Sequence, residues 1–114
     1  MAAVPLPVNM NELTQLLKAF NALADANNWH PKHSPKNLAM ALSVEAAELL
    51  EIFQWLGEED SRQLNAEQHQ RVSFEMADVL LYLLSMAEQL KIDLLQAARE
   101  KMLINQQRQA SKKP

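Results

Sequence analysis

Two acidic pairs, Glu45-x-x-Glu48 and Glu75-x-x-Asp78, each lie inside a leucine- and alanine-rich stretch that reads as helix. Residues three apart share a helix face, so each pair aims both carboxylates in one direction. At ~100° per residue, Glu45 and Glu48 fall alongside Leu38, Ala41 and Ile52, while Glu75 and Asp78 flank Tyr82. Those are apolar sides, where a bare anion is costly to bury. Converging carboxylates repel one another unless something positive sits between them, and no Lys or Arg has the spacing to serve. Oxygen-only donors suit a hard cation, Mg²⁺ first and Mn²⁺ as a substitute. The Glu-x-x-His signature of di-iron bundles is absent, because position 48 is Glu and position 78 is Asp. The pattern implies metal-dependent chemistry on a phosphate; solvated helix charge is the bland alternative. Glu51, rotated away on the same helix as Glu48, is either a surface acid or a further ligand.

Other residues could serve a phosphate substrate. Lys101, Asn105 and Arg108 recur at i, i+4 and i+7 and line one helix face. They read either as a solvated face with favourable C-terminal charge, or as phosphate-neutralising cations flanking an amide that bonds sugar or base. His33 and Lys36 stand near a helix start, where anions are also favoured. Trp29 and Trp55, the only tryptophans, each border the acidic region. Alone, each reads as a packing residue, but beside a phosphate site a flat ring suits base stacking. His30, His33 and His69 lack paired ligand spacing, and there is no Gly-x-x-x-x-Gly-Lys loop and no Ser-His-Asp set.

The elements that must position these residues are helices. One glycine, Gly57, leaves almost no raw material for hairpins, and Leu and Ala outnumber the β-branched residues. The class is all-α. Residues 1–8, with Pro5 and Pro7, read as a flexible arm; residues 9–109 form the helical domain and 110–114 a frayed tail. A first helix is expected from about Asn9 or Asn11 to Asn27, striped by Leu13, Leu16, Leu17, Phe20 and Leu23. Ser34-Pro35 reads as N-cap and first helical residue of a second, running to Leu56 and stopping at Gly57. Glu58 to Asn65 reads as an acidic loop, Ala66–Leu90 as a third helix, and Leu94–Gln109 as a fourth capped by Asp93. The centre of the third helix, Val79 to Leu84, is apolar nearly all round and needs neighbours on nearly every side. A four-helix bundle completed by a second copy of the chain, as homodimer or homotetramer, satisfies that need.

Composition excludes several classes. A net charge of −3 and no basic run beyond Lys112-Lys113 argue against a nucleic-acid polymer as partner. Without cysteine there is no disulfide framework, thiolate nucleophile or Cys-based zinc site. Residues 1–9 lack the charged and apolar regions of a secretory signal, and no apolar run reaches ~18 residues. No membrane partner is expected, and the expected compartment is cytoplasmic.

The ordered set of motifs resembles a known family. Glu45-x-x-Glu48, a gap of 26 residues and Glu75-x-x-Asp78 are similar to the metal motif of the all-α MazG-like nucleoside triphosphate pyrophosphohydrolases. Trp29-x-x-x-His33-x-Pro35-Lys36-Asn37-Leu38, Glu48-Leu49, Phe53-Gln54-Trp55 and Asp78-Val79-Leu80-Leu81-Tyr82-Leu83 look like the dCTP pyrophosphatase branch. So do Ile92-Asp93-Leu94 and Lys101-x-x-x-Asn105-x-x-Arg108, which extends the likeness from about Asn11 to Arg108.

The resemblance implies Mg²⁺-dependent hydrolysis of a (d)NTP to the monophosphate and pyrophosphate, clearing surplus or non-standard nucleotides, with dCTP or a modified dCTP preferred. It implies that Glu45, Glu48, Glu75 and Asp78 hold the metal, that Trp29 and Trp55 wall the base pocket, and that Tyr82, Lys101, Asn105 and Arg108 contact substrate. Glu48 is the acid expected to position the attacking water or take its proton. Dimers or tetramers with sites near subunit interfaces are implied as well. Two departures stand out: Phe20 occupies a place on the first helix where related members can carry His, and Gln109-Ala110 replaces their aromatic-proline pair. The alternatives are a related all-α enzyme for dUTP or phosphoribosyl-ATP, and a non-catalytic helical interaction module.

Overall fold

The computed structural model describes residues 10–28 and 33–112, and its elements are five helices: α1 (Met10–Ala26), α2 (Pro35–Phe53), α3 (Glu58–Arg62), α4 (Ala66–Gln89) and α5 (Leu94–Ser111). No strand occurs among the described residues. The arm at residues 1–8 lies outside them, as do residues 29–32 and the last two residues of the tail.

Local chemistry sets the helix starts. The Ser34 hydroxyl accepts from the Asn37 N–H at 3.2 Å, and Pro35 supplies the pre-set φ of the first turn of α2. At α4 the Asn65 side-chain Oδ1 accepts from the Gln68 N–H at 2.8 Å, and the Gln68 side-chain Oε1 accepts from the Asn65 N–H at 3.0 Å. That reciprocal box satisfies two otherwise orphaned donors. α4 ends where Lys91 turns left-handed at φ 55, and the Ile92 N–H reaches back to the Ala87 carbonyl at 2.8 Å. Asp93 then caps α5 through the Gln96 N–H at 3.0 Å.

Three boundaries differ from the sequence expectation. α2 stops at Phe53 rather than Leu56, and its last turn tightens as the Leu56 N–H bonds the Phe53 carbonyl at 2.9 Å. Gly57 does not end α2 in a left-handed conformation; with φ −74 it is the extended N-cap of α3. The expected acidic loop therefore contains a helix. Glu58, Glu59 and Asp60 fill its first turn, where the helix dipole favours anions, and Arg62 closes it with a 3.0 Å bond to Glu59. α5 also runs past Gln109 to Ser111, so part of the expected frayed tail is helical.

α2 lies along α4 as the principal packed pair, and α1 crosses α4 with a smaller contact. Among the described residues only Ala24, Leu38, Ile52 and Ala87 are buried apolar side chains, and Leu38 is the one large side chain fully shut off from solvent. Leu50 (63% exposed), Phe74 (62%) and Met76 (57%) stay open on α2 and α4, as do Met102, Leu103 and Ile104 on α5. A chain that is 48% hydrophobic thus leaves much of its apolar surface uncovered within one subunit.

Candidate active site

The α2–α4 packing brings the two acidic pairs against each other. One carboxylate oxygen from each of Glu45, Glu48 and Glu75 lies within 4.8 Å of the others. Asp78 stands outside that tightest set, but its charge acts on both Glu45 and Tyr82. Glu45 Oε2 and Glu75 Oε2 are buried without a hydrogen-bond partner. Buried carboxylate oxygens left unmatched are costly, and a cation coordinated between them removes that cost. The donor set is all oxygen, as Mg²⁺ or Mn²⁺ favours, so the residues fit such an ion.

Electrostatics record the same crowding. The Glu45 carboxyl is pushed from its ordinary 4.5 up to about 8. The largest cause is the close approach of the Glu75 carboxylate; burial follows, then the nearness and charge of Glu48, and then the charge of Asp78. The native protein without a cation thus holds a proton on Glu45 that the unfolded chain has already released. Its stability should fall as pH rises through the window from about 4.5 to about 8. A divalent cation competes with that proton, so Mg²⁺ should raise the melting temperature more at the upper end of the window than in its middle. Melting curves across this range, with EDTA and with Mg²⁺, check both statements. A slope that survives Glu45→Gln would assign the titration to another group.

Beside the acids lies a cluster of three rings. Tyr82, one turn past Asp78 on α4, meets Phe20 of α1 edge-on at 5.9 Å and His33 at 6.3 Å. Phe20 and His33 stack at 6.0 Å with their planes 15° apart. Burial, then the charges of Glu45 and Asp78, raise the Tyr82 pKa, which keeps its hydroxyl protonated as a donor. Two hydrogen bonds tie this end of α4 to its neighbours. Asn21 Nδ2 donates to Glu88 Oε1 at 2.7 Å, and Gln89 Nε2 donates to the His33 carbonyl at 2.6 Å.

The structure thus gathers Glu45, Glu48, Glu75 and, at the margin, Asp78, with Tyr82 and His33 next to them. It does not gather the rest. Lys36 is exposed in the first turn of α2. Trp55 is 87% exposed after α2. Lys101, Asn105 and Arg108 are exposed on α5, which has no extensive packing on another helix. Trp29 lies outside the described residues. Phe20 is the member that sequence reasoning placed elsewhere: it reads as part of an apolar stripe, yet its ring faces His33 and Tyr82. Its position on the first helix, singled out in the sequence as a departure from the pattern it resembles, was the available signal.

Comparison with known proteins sets this geometry in context. Residues 40–113 match the model of the MazG-like family. The dCTP pyrophosphatase 1 of Homo sapiens is 37% identical over 87 residues, 75% of this chain and 51% of that protein. The dCTP pyrophosphatase 1 of Bos taurus is 36% identical over 87 residues, again 75% of this chain and 52% of that protein. The chain therefore spans about half the length of the curated relatives it matches. Among solved structures, a pyrophosphatase from Archaeoglobus fulgidus superposes with a TM-score of 0.76 at 35% identity, covering 94% of this chain and 97% of that one.

Proposed function

The chain belongs to the MazG-like family, and on that premise we propose that it is a Mg²⁺-dependent nucleoside triphosphate pyrophosphohydrolase that prefers dCTP or a modified dCTP. The observation that carries this reading is the meeting of Glu45, Glu48 and Glu75, with two of their buried oxygens unmatched. Acids in this arrangement are arranged for a cation rather than for one another. The names of the relatives support the nucleotide and the pyrophosphate product.

Glu45, Glu48, Glu75 and Asp78 would hold the ion. Mg²⁺ bound there supplies charge that offsets the developing negative charge on the triphosphate oxygens and makes water a better nucleophile. The chain's own residues do the rest. Glu48 orients the attacking water and takes its proton. The Tyr82 hydroxyl donates to the substrate, and the His33 and Tyr82 rings form a wall beside the acids that a sugar or base can lie against. Trp29 and Trp55 are the rings that would stack on the base, Trp55 from an exposed position after α2 that a bound nucleotide or second copy must cover. Lys36, Lys101, Asn105 and Arg108 meet the anionic end of the nucleotide. Because α5 projects without extensive packing in its own subunit, its three residues serve a site completed by a second copy of the chain. A homodimer or homotetramer also covers the open apolar faces of α2 and α4. No helix among the described residues is long and apolar enough to cross a membrane.

The test is pyrophosphate release from a panel of dNTPs and NTPs, with Mg²⁺, with Mn²⁺ and with EDTA. Release that needs the cation and is strongest with dCTP or a 5-substituted dCTP is expected. Release strongest with dUTP or another nucleotide keeps the reaction and overturns the base preference. No release with any nucleotide overturns the proposal.

A further inference from the structure

α4 is a single ruler running from the acids to its own C-terminus. Glu75, Asp78, Tyr82, Ser85 and Gln89 follow each other at steps of three or four and share one face. Asp78 and Gln89 are therefore ~16 Å apart along the axis at 1.5 Å per residue. His33 touches this ruler twice. Its ring meets Tyr82 at 6.3 Å, and its backbone carbonyl accepts from Gln89 Nε2 at 2.6 Å. That carbonyl lies one residue before the N-cap of α2, where the helix makes no use of it; the first carbonyl that α2 takes is that of Ser34, from the Leu38 N–H at 2.8 Å.

We propose that Gln89 is a positioning residue for the nucleotide site: through its hydrogen bond to the His33 carbonyl it holds the His33 ring against both Phe20 and Tyr82, the tyrosine that feels the charges of Glu45 and Asp78. The role rests on the pyrophosphohydrolase reading, because it is the nucleotide that His33 meets. The structural tether itself does not depend on that reading. Gln89 suits the task chemically. Its amide donates to a carbonyl, whereas the nearly isosteric glutamate has no donor and would place charge against an acceptor. Its backbone belongs to the last turn of the same rigid helix that carries Glu75, Asp78 and Tyr82. One helix thus carries two of the four acids, Glu75 and Asp78, together with the two side chains that His33 meets, Tyr82 and Gln89. The adjacent Asn21–Glu88 bond does the same for α1, which brings Phe20.

The experiment joins one structural and one kinetic readout on Gln89→Leu, Gln89→Glu and Gln89→Lys, with His33→Ala as the second site of a double-mutant cycle. The chain has three histidines, so the His33 ring protons are assignable by difference from the His33→Ala spectrum. In the wild type those protons should be shifted by the Phe20 and Tyr82 rings. They should move toward solvent-exposed values in Gln89→Leu and Gln89→Glu, and keep their shift in Gln89→Lys, which retains a donor. In parallel, KM for the best nucleotide should rise 3- to 10-fold in the first two variants, with kcat within twofold and melting temperature unchanged. That rise should vanish in the His33→Ala background. Unmoved ring protons in a folded Gln89→Glu overturn the proposal whatever the activity. Moved protons with unchanged KM overturn the role in nucleotide binding. Moved protons in a protein that hydrolyses no nucleotide leave the tether standing and remove the pyrophosphohydrolase reading instead.

Discussion

Glu48→Gln is expected to lower pyrophosphate release by on the order of 10³-fold, the scale on which a proton acceptor and a charge-stabilising contact act in a transition state. The same substitution should leave the fold intact. Glu48 shares its space with Glu45 and Glu75, all within 4.8 Å, so removing one negative charge relieves repulsion in the metal-free protein and should hold or raise its melting temperature. The combination is diagnostic: a residue that matters for packing loses stability and activity together, whereas a residue kept for chemistry loses activity alone. Glu45→Gln and Glu75→Gln should also lose turnover, because each replaces a carboxylate whose buried oxygen has no hydrogen-bond partner and is free to meet a cation. Glu51→Gln should stay near wild-type turnover, because Glu51 is exposed and outside the converging set. A folded Glu48→Gln protein with wild-type turnover would take Glu48 out of the reaction.

What made the acids legible was spacing. A three-residue interval fixes a helix face whatever the tertiary fold, so Glu45 with Glu48 and Glu75 with Asp78 could be paired before any packing was known. Capping was legible for the same reason: Ser34-Pro35 and Asp93 act within one turn. What could not be read depends on partners far along the chain. The proton on Glu45 is set chiefly by Glu75, thirty residues away. Phe20 looked like core because its helix face is apolar, but that face does not bury uniformly: Leu16 and Leu23 on the same stripe are about half exposed. The short α3 was hidden because a run of three acids suggests a solvated loop, whereas at a helix start the same charges are stabilising. The reach of α5 was visible only in part: it runs to Ser111, two residues past the expected end, with no extensive packing on another described helix.

That gap leads to the second large effect. Leu49, Ser73, Met76, Ala77, Val79, Leu80 and Leu83 line an open groove of about 530 Å³ between α2 and α4, almost wholly apolar. Met76 is 57% exposed in it. If a second copy of the chain covers this groove, Met76→Lys forces an unpaired charge into a buried contact, at a cost of about 3–5 kcal/mol. At about 1.4 kcal/mol per tenfold, that weakens association by roughly 10²–10³-fold or more. Sedimentation velocity at micromolar concentration should then show the wild type as a dimer or tetramer and Met76→Lys as a monomer. Met76 is not among the acids or the rings beside them, so any loss of pyrophosphate release in this variant should track dissociation and be recovered in part at high protein concentration. That recovery is the signature of a site that borrows Lys101, Asn105 and Arg108 from a neighbouring subunit. A wild-type protein that sediments as a monomer at every concentration would sink the shared site, and would leave the open faces of α2, α4 and α5 to be covered by some other partner.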